Sequence, residues 1–211
     1  MDTPDIPWMV RREYARLAPA YDRIWRRYLR TTISQTLHCL DLRGDERVLD
    51  VGCGTGLLLE QLAARSRGLE LHGIDATPEM LRRAERRLGE RAQLRLGTAE
   101  RLPYADSEFD VVTSTSMLHL LADRHDAALA EWVRVLGPGG RLVITDWRAE
   151  HLGTRAHVFA LRILGRRHYR PLASYELAGL MGRHGVMIDG LSTYRAGTWG
   201  LVTAWGVLRP A

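Results

Sequence analysis

The order of apolar segments predicts an α/β protein built on a doubly wound, mostly parallel sheet. Three observations carry that prediction. Short aliphatic runs alternate with longer stretches of helical period, the pattern of strands joined by crossover helices. A glycine-rich turn, Gly52-Cys-Gly-Thr-Gly56, directly follows the first such run, and an acidic residue, Asp75, closes the second. Sheets of this kind bind ligands beyond the carboxyl ends of their strands, where the strand order reverses.

Roughly the first 40 residues carry a helical period and precede the sheet. Arg47-Val-Leu-Asp-Val51 reads as a buried strand, and Leu57 to Ala64, after the glycine turn, as a helix. Leu69 to Asp75 is a second strand. Thr77-Pro78 then opens a helix running to Leu88, with proline at the first helical position, where its missing N–H costs nothing. Ala92 to Leu96 and Phe109 to Thr113 are further strands. Ala127 to Leu136 is a helix stopped by Gly137-Pro-Gly-Gly140, and Arg141 to Thr145 is a fifth strand. Beyond Arg148, helical stretches near Thr154–Leu164 and Ser174–His184 precede extended runs at Val186–Tyr194 and Leu201–Leu208.

At 211 residues, 45% hydrophobic and 26% charged, the chain has the composition of an ordinary globular domain. All 30 basic residues are arginine. The absence of lysine removes the P-loop lysine, Schiff-base chemistry and Ser-x-x-Lys pairs. A formal charge of +5 is small, and the arginines are scattered among 25 acidic residues, so nucleic acid is not an expected partner. No apolar run reaches the length of a membrane span; Ala196 to Leu208 is too short. The acidic opening Met1-Asp-Thr-Pro-Asp-Ile-Pro7 is unlike a secretory signal, and a cytoplasmic setting is expected. Cys39 and Cys53 have no metal-ligand spacing, no metal site is expected, and two unpaired thiols suit a reducing compartment.

Glycines at alternate positions let a backbone turn tightly and approach a ligand, and the helix behind them offers free N–H groups to an anionic group. The spacing here is Gly-x-Gly-x-Gly, preceded by Asp50; the dinucleotide pattern Gly-x-Gly-x-x-Gly fails because Leu57 stands at its last position. An acid at the end of the second strand is placed to accept hydrogen bonds from ribose hydroxyls. After the third strand comes Gly97-Thr-Ala-Glu-Arg-Leu-Pro-Tyr104, then Ser107-Glu-Phe-Asp110. Taken in this order, these features resemble the class I S-adenosylmethionine-dependent methyltransferases, particularly the small-molecule branch that includes ubiquinone and menaquinone biosynthesis enzymes. The likeness is strong from Val48 to Thr145 and looser outside it.

The resemblance implies a Rossmann-like seven-stranded sheet with an antiparallel last strand and an N-terminal helical lid. Residues 1–211 would form one domain: a lid over 1–42, a cofactor-binding core over 43–147, and substrate-covering helices with the last two strands over 148–211. It implies S-adenosylmethionine as cofactor. Gly52, Cys53, Gly54 and Gly56 would surround its methionine and ribose, Asp50 would take its amino group, and Asp75 would hold both ribose hydroxyls. Ala76 and Met80 would flank the adenine, although a methionine at helical spacing is as readily core. Thr98, Ala99 and Glu100 would follow at the adenine edge, where Thr98 replaces the family's usual acid. Ser114 and Thr115 would floor the site near the methyl group.

Methyl transfer needs alignment and exclusion of water, and a base only where the nucleophile must lose a proton. Tyr14-Ala-Arg-Leu-Ala-Pro-Ala-Tyr21-Asp22 resembles the family's lid motif, with Tyr21 closing over the cofactor. His119 is a candidate base. Asp146, followed by Trp147, stands where the family builds acceptor pockets. Arg155 to Arg170 and Trp25 to Arg30 mix apolar and arginine residues, which suits a peripheral membrane contact as well as ordinary helix packing.

The leading expectation is transfer of a methyl group to a small hydrophobic or lipid-like acceptor, with the oligomeric state left open. One rival is a nucleic-acid methyltransferase. Its amino-methylating members carry Asn/Asp-Pro-Pro-Tyr/Phe after the fourth strand, where this chain has Thr113-Ser-Thr-Ser-Met117. The other rival is a protein that binds the cofactor without catalysis.

Overall fold

The computed structural model describes residues 8–210. The acidic opening Met1-Asp-Thr-Pro-Asp-Ile-Pro7 lies outside them. Helix α1 (Trp8–Leu17), the short α2 (Tyr21–Ile24) and α3 (Arg26–Cys39) lead into strand β1 (Arg47–Val51). Then follow α4 (Leu57–Arg65), β2 (Glu70–Asp75), α5 (Pro78–Leu88), β3 (Gln93–Leu96) and β4 (Phe109–Thr115). Helix α6 (His125–Val135) precedes β5 (Leu136–Trp147), and α7 (Leu152–Ile163), α8 (Ser174–Arg183), β6 (Val186–Ala196) and β7 (Trp199–Leu208) complete the chain.

Seven strands form one sheet in the order β3-β2-β1-β4-β5-β7-β6. Neighbours from β3 to β5 run parallel, and β7 runs antiparallel to both β5 and β6. The Rossmann-like expectation, including an antiparallel last strand, matches this topology. The order reverses between β1 and β4, where the loops leaving the two strands part and open a crevice.

Strand alternation distributes the core to both faces. Val48, Val111 and Val143 pack with Leu29 and Ile33 of α3, Leu58 and Leu62 of α4, Leu81 and Ala84 of α5, and Leu161 of α7. Their neighbours Leu49, Val112 and Ile144 face the opposite way, onto Leu129 and Trp132 of α6 and Leu177 and Leu180 of α8. Each of these Val, Leu and Ile side chains removed from water contributes roughly 1.5–3 kcal/mol before the entropy of ordering is set against it. Trp132 is wholly buried, and its indole N–H finds the carbonyl of Ala99 at 3.1 Å.

The largest departure from the sequence expectation is at the start of the fifth strand. Helix α6 ends at Val135, and Leu136 already pairs with Phe109, so the fifth strand begins before Gly137-Pro-Gly-Gly140. The register shifts between Phe109 and Val111, and pairing resumes at Arg141. Gly139, at φ +76°, supplies the left-handed residue that lets the chain bulge there.

The glycine turn is held by packing as well as by hydrogen bonds. Gly56 has φ +79°, and a Cβ there would lie 2.9 Å from Leu88 Cδ1 and 3.0 Å from the Ala84 Cβ. This glycine therefore sets how closely α4 approaches α5. Gly56→Ala combines a left-handed backbone with an overpacked contact, and thermal unfolding should show a loss of roughly 1–3 kcal/mol.

A second buried contact links β1 to β4: Thr113 Oγ1 donates to Asp50 Oδ1 at 3.0 Å. Burial pushes the Asp50 carboxyl up to about 7, against the pull of that hydroxyl. The folded protein thus retains a proton that an unfolded aspartate releases near pH 4. Stability from this group is complete below that pH and is lost as the pH rises through 7. Replacing Asp50 by Asn should flatten this fall in denaturant unfolding between pH 4 and 7; an unchanged pH dependence would contradict the assignment.

Candidate functional site

Two adjoining cavities lie at the carboxyl ends of the parallel strands. The first is lined by the glycine turn (Gly52, Gly54), by Ile74, Asp75, Ala76, Thr77 and Met80 from the end of β2 and the start of α5, and by Gly97 and Ala99. Thr115 at the end of β4 and Ser116 and Met117 just beyond it close the cavity, while Val10, Arg11, Tyr14 and Tyr21 cover it from the amino-terminal helices.

Asp75 organises this cavity. Its Oδ2 accepts the N–H of Gly54 at 2.9 Å, and its Oδ1 accepts that of Thr77 at 2.8 Å, so one carboxylate ties the glycine turn to the start of α5. Burial raises its pKa, and the N–H groups of Thr77 and Gly54 oppose the rise. Gly54, at φ +54°, has no atom within 4 Å of where a Cβ would stand, so its backbone faces open space. A Cβ on Gly52 would meet Met117 Cγ at 2.6 Å. A left-handed glycine cradle, a carboxylate at the end of β2 and the apolar walls Ile74, Met80 and Ala99 fit an adenosyl cofactor.

Asp22 ties the amino-terminal helices to this cradle. Its Oδ1 accepts the hydroxyl of Thr55 at 2.7 Å, and its Oδ2 accepts Arg87 Nη2 at 2.7 Å. Arg87 also donates to the carbonyl of Thr55. Tyr21, next in sequence, lines both cavities.

The second cavity is walled largely by aromatic rings: Tyr14, Tyr21, Trp25, Tyr28, His119, Trp147, His157 and Tyr169, with Glu13, Leu17, Ser116, Leu161 and Arg166. Tyr14, Tyr21 and Ser116 belong to both walls, so the cavities share a boundary. His119 stacks on Trp147 with ring centroids 3.8 Å apart and an interplanar angle of 10°, and Trp199 stacks on Trp147 at 4.4 Å. The hydroxyl of Tyr28 joins Ser116 Oγ (2.7 Å) to the indole N–H of Trp147 (2.9 Å). Burial raises the pKa of Tyr14, Tyr21, Tyr28 and Tyr169, so all four phenols stay protonated at neutral pH.

His119 is 2% exposed and is oriented by Asp146. Asp146 Oδ1 lies 2.6 Å from Nδ1, and Oδ2 accepts the backbone N–H of His119 at 3.1 Å. An ionised carboxylate only accepts, which fixes the proton on Nδ1 and leaves the Nε2 lone pair free. Nε2 is buried and has no hydrogen-bond partner among the described residues. The arrangement offers a buried proton acceptor in the wall of an aromatic chamber.

Of the residues expected from sequence, Gly52, Gly54, Asp75, Ala76, Met80, Ala99 and Thr115 line the first cavity, His119 lines the second and Tyr21 lines both. Asp50, Cys53, Gly56, Thr98, Glu100 and Ser114 lie behind the first wall. Asp50 bonds Thr113, Ser114 donates to the carbonyl of Val51 (3.0 Å), and Glu100 pairs with Arg124 (2.6 Å). Cys53 and Thr98 are buried. Asp146 acts on the second cavity through His119. Cys39 and Cys53 are both free and buried.

Ser116 belongs to no motif in the sequence. It is a non-glycine residue at φ +61°, held by its N–H to the carbonyl of Thr145 at 2.7 Å, at the junction of the cavities. Its signal was its place directly beyond a strand at the switch point. Tyr28, Tyr169 and Trp199 had no local signal, because segments far apart in sequence bring them together.

Comparison with known proteins agrees with this geometry. Residues 49–144 match the family model described as a methyltransferase domain. A demethylmenaquinone methyltransferase from Deinococcus radiodurans is 33% identical over 198 residues, covering 87% of this chain and 77% of that protein. An uncharacterised protein from Mycobacterium bovis is 35% identical over 171 residues, covering 77% of this chain; the chain spans only 57% of that relative's length. Among solved structures, a chain of the complex between the Haloferax volcanii Trm112 methyltransferase activator and a methyltransferase superposes with TM-score 0.82 at 19% identity, covering 93% of this chain and 98% of that one. A Thermotoga maritima S-adenosylmethionine-dependent methyltransferase gives TM-score 0.72 at 21% identity, covering 92% and 98%. At these identities the structural matches speak for the fold, while the sequence relatives carry the family. The chain belongs to the S-adenosylmethionine-dependent methyltransferases.

Proposed function

We propose that this chain transfers a methyl group from S-adenosylmethionine to a small hydrophobic acceptor held in the aromatic chamber, with His119 as general base. The observation that carries the reading is the unpartnered Nε2 of His119, buried in the wall of a chamber that shares Tyr14, Tyr21 and Ser116 with the cofactor cavity. When bound, the cofactor supplies a sulfonium methyl whose bond electrons return to sulfur as the acceptor atom bonds to carbon.

The chain's own residues do the rest. The Gly52–Gly54 backbone and Asp75 bind the cofactor, with Asp75 directed to the ribose hydroxyls. Tyr21 and Asp22 hold the lid down, which excludes water from the junction. The aromatic walls orient a planar acceptor by stacking. His119 Nε2 takes the proton that the acceptor's hydroxyl or amine gives up, and Asp146 stabilises the imidazolium formed. The relatives named demethylmenaquinone methyltransferase support a small-molecule acceptor.

Two measurements test the reading. Asp75→Ala should weaken S-adenosylhomocysteine binding by roughly 1–3 kcal/mol, the scale of a lost hydrogen bond to a charged group, in calorimetric titration. Full affinity in a folded variant would remove Asp75 from the cofactor site. His119→Gln should lower kcat by about 10²–10⁴ for an acceptor that must lose a proton, with cofactor affinity preserved. Wild-type turnover in that variant would assign the base elsewhere.

A further inference from the structure

Helix α7 walls the aromatic chamber with one face and presents an unusual surface with the other. His157 and Leu161 point into the chamber, and Thr154, Val158 and Leu161 are buried. On the outer side Leu152, Phe159, Ile163 and the adjacent Leu164 are 77%, 66%, 72% and 72% exposed. Leu152, Phe159 and Ile163 recur at i, i+7 and i+11, so they form one stripe along the helix. Large apolar side chains exposed side by side, rather than singly, mark a surface made to be covered.

The charge around the stripe identifies what covers it. Between Glu150 and Glu176 the chain contains no acidic residue and five arginines: Arg155, Arg162, Arg166, Arg167 and Arg170. Arg166 pairs with Glu13 at 2.5 Å, whereas Arg155, Arg162, Arg167 and Arg170 form no ion pair among the described residues. Arg155, Arg162 and Arg170 line a surface depression together with Leu152, Phe159 and a single carboxylate, Glu176, which accepts the backbone N–H of Ala173. Arg87 and Arg134 show the contrast: the first pairs with Asp22 and Glu60, the second with Glu131 and Asp106.

We propose that the outer face of α7 docks on an anionic lipid membrane. Unpaired arginines beside exposed aliphatic and aromatic side chains are what a helix needs to lie in the membrane interface: the apolar stripe enters the acyl boundary while the guanidinium groups hold phosphate. Nucleic acid would satisfy the arginines but offers no apolar phase for Leu152, Phe159, Ile163 and Leu164. A second copy of this chain would set unpaired arginines against arginines. No helix among the described residues is long and apolar enough to cross a membrane, so the contact is peripheral. The proposal rests on the methyltransferase reading in one respect: a chamber beneath this helix that takes a hydrophobic acceptor gains from lying at the lipid surface.

Co-sedimentation of the full chain with phosphatidylcholine vesicles, with and without phosphatidylglycerol, tests the idea without requiring turnover. Binding should need phosphatidylglycerol, fall at high salt, and drop about fivefold for each of Arg155→Gln, Arg162→Gln and Arg167→Gln. Phe159→Asp with Ile163→Asp should abolish it, while S-adenosylhomocysteine binding by these surface variants stays at the wild-type level. No binding to anionic vesicles would overturn the proposal, as would variants that sediment like the wild type. Dissociation of a dimer by Phe159→Asp, or duplex DNA binding through the same arginines without vesicle binding, would assign the surface to another partner and also overturn it. Vesicle binding in a protein that fails to bind S-adenosylhomocysteine would leave the docking surface intact and remove the methyltransferase reading instead.

Discussion

The reversal of strand order between β1 and β4 is the constraint from which both cavities follow. Crossover helices leave parallel strands at their carboxyl ends, and where the order reverses the connections part to opposite faces of the sheet. Here α4 leaves β1 toward the face that carries α3, α5 and α7, while α6 follows β4 on the face shared with α8. The crevice between them is floored by Gly52 and Gly54 on one side and by Thr115, Ser116 and Met117 on the other. The aromatic chamber opens beside it under α1, α3 and α7.

Two carboxylates turn this crevice into a defined site. Asp75 joins the turn after β1 to the start of α5, and Asp146 joins the end of β5 to the turn after β4 through both the backbone and the ring of His119. Each satisfies N–H groups that would otherwise be left bare at a loop, and each fixes a functional surface in doing so. Asp22 adds a third tie, to Thr55 and Arg87, so the amino-terminal helices are clamped to the glycine turn by charge-assisted hydrogen bonds.

The sheet and the glycine turn are legible in the sequence because their signals are local. The strands Arg47–Val51 and Glu70–Asp75, the glycine turn and the proline at the start of α5 declare themselves within a few residues of chain. The fifth strand starts earlier than its sequence suggests because Gly137-Pro-Gly-Gly140, a breaker by composition, is accommodated as a bulge beside Phe109. Burial on the far side of a wall was equally invisible: Asp50 and Ser114 lie in strands at the site but turn their side chains to Thr113 and to the carbonyl of Val51. The aromatic chamber is hidden for a different reason. Tyr28 and Trp147 meet across 119 positions of sequence, and Trp199 reaches the same stack from the last strand. Such a juxtaposition has no period or spacing to read.

The central claim is that the glycine cradle and Asp75 hold an adenosyl sulfonium cofactor beside a separate acceptor chamber. Calorimetric titration of the whole chain with S-adenosylmethionine and S-adenosylhomocysteine, with NADH as control, addresses it most directly. Saturable one-to-one binding of both adenosyl ligands and none of NADH is the predicted result. Binding of NADH instead, or of none of the three by a folded chain, would contradict it.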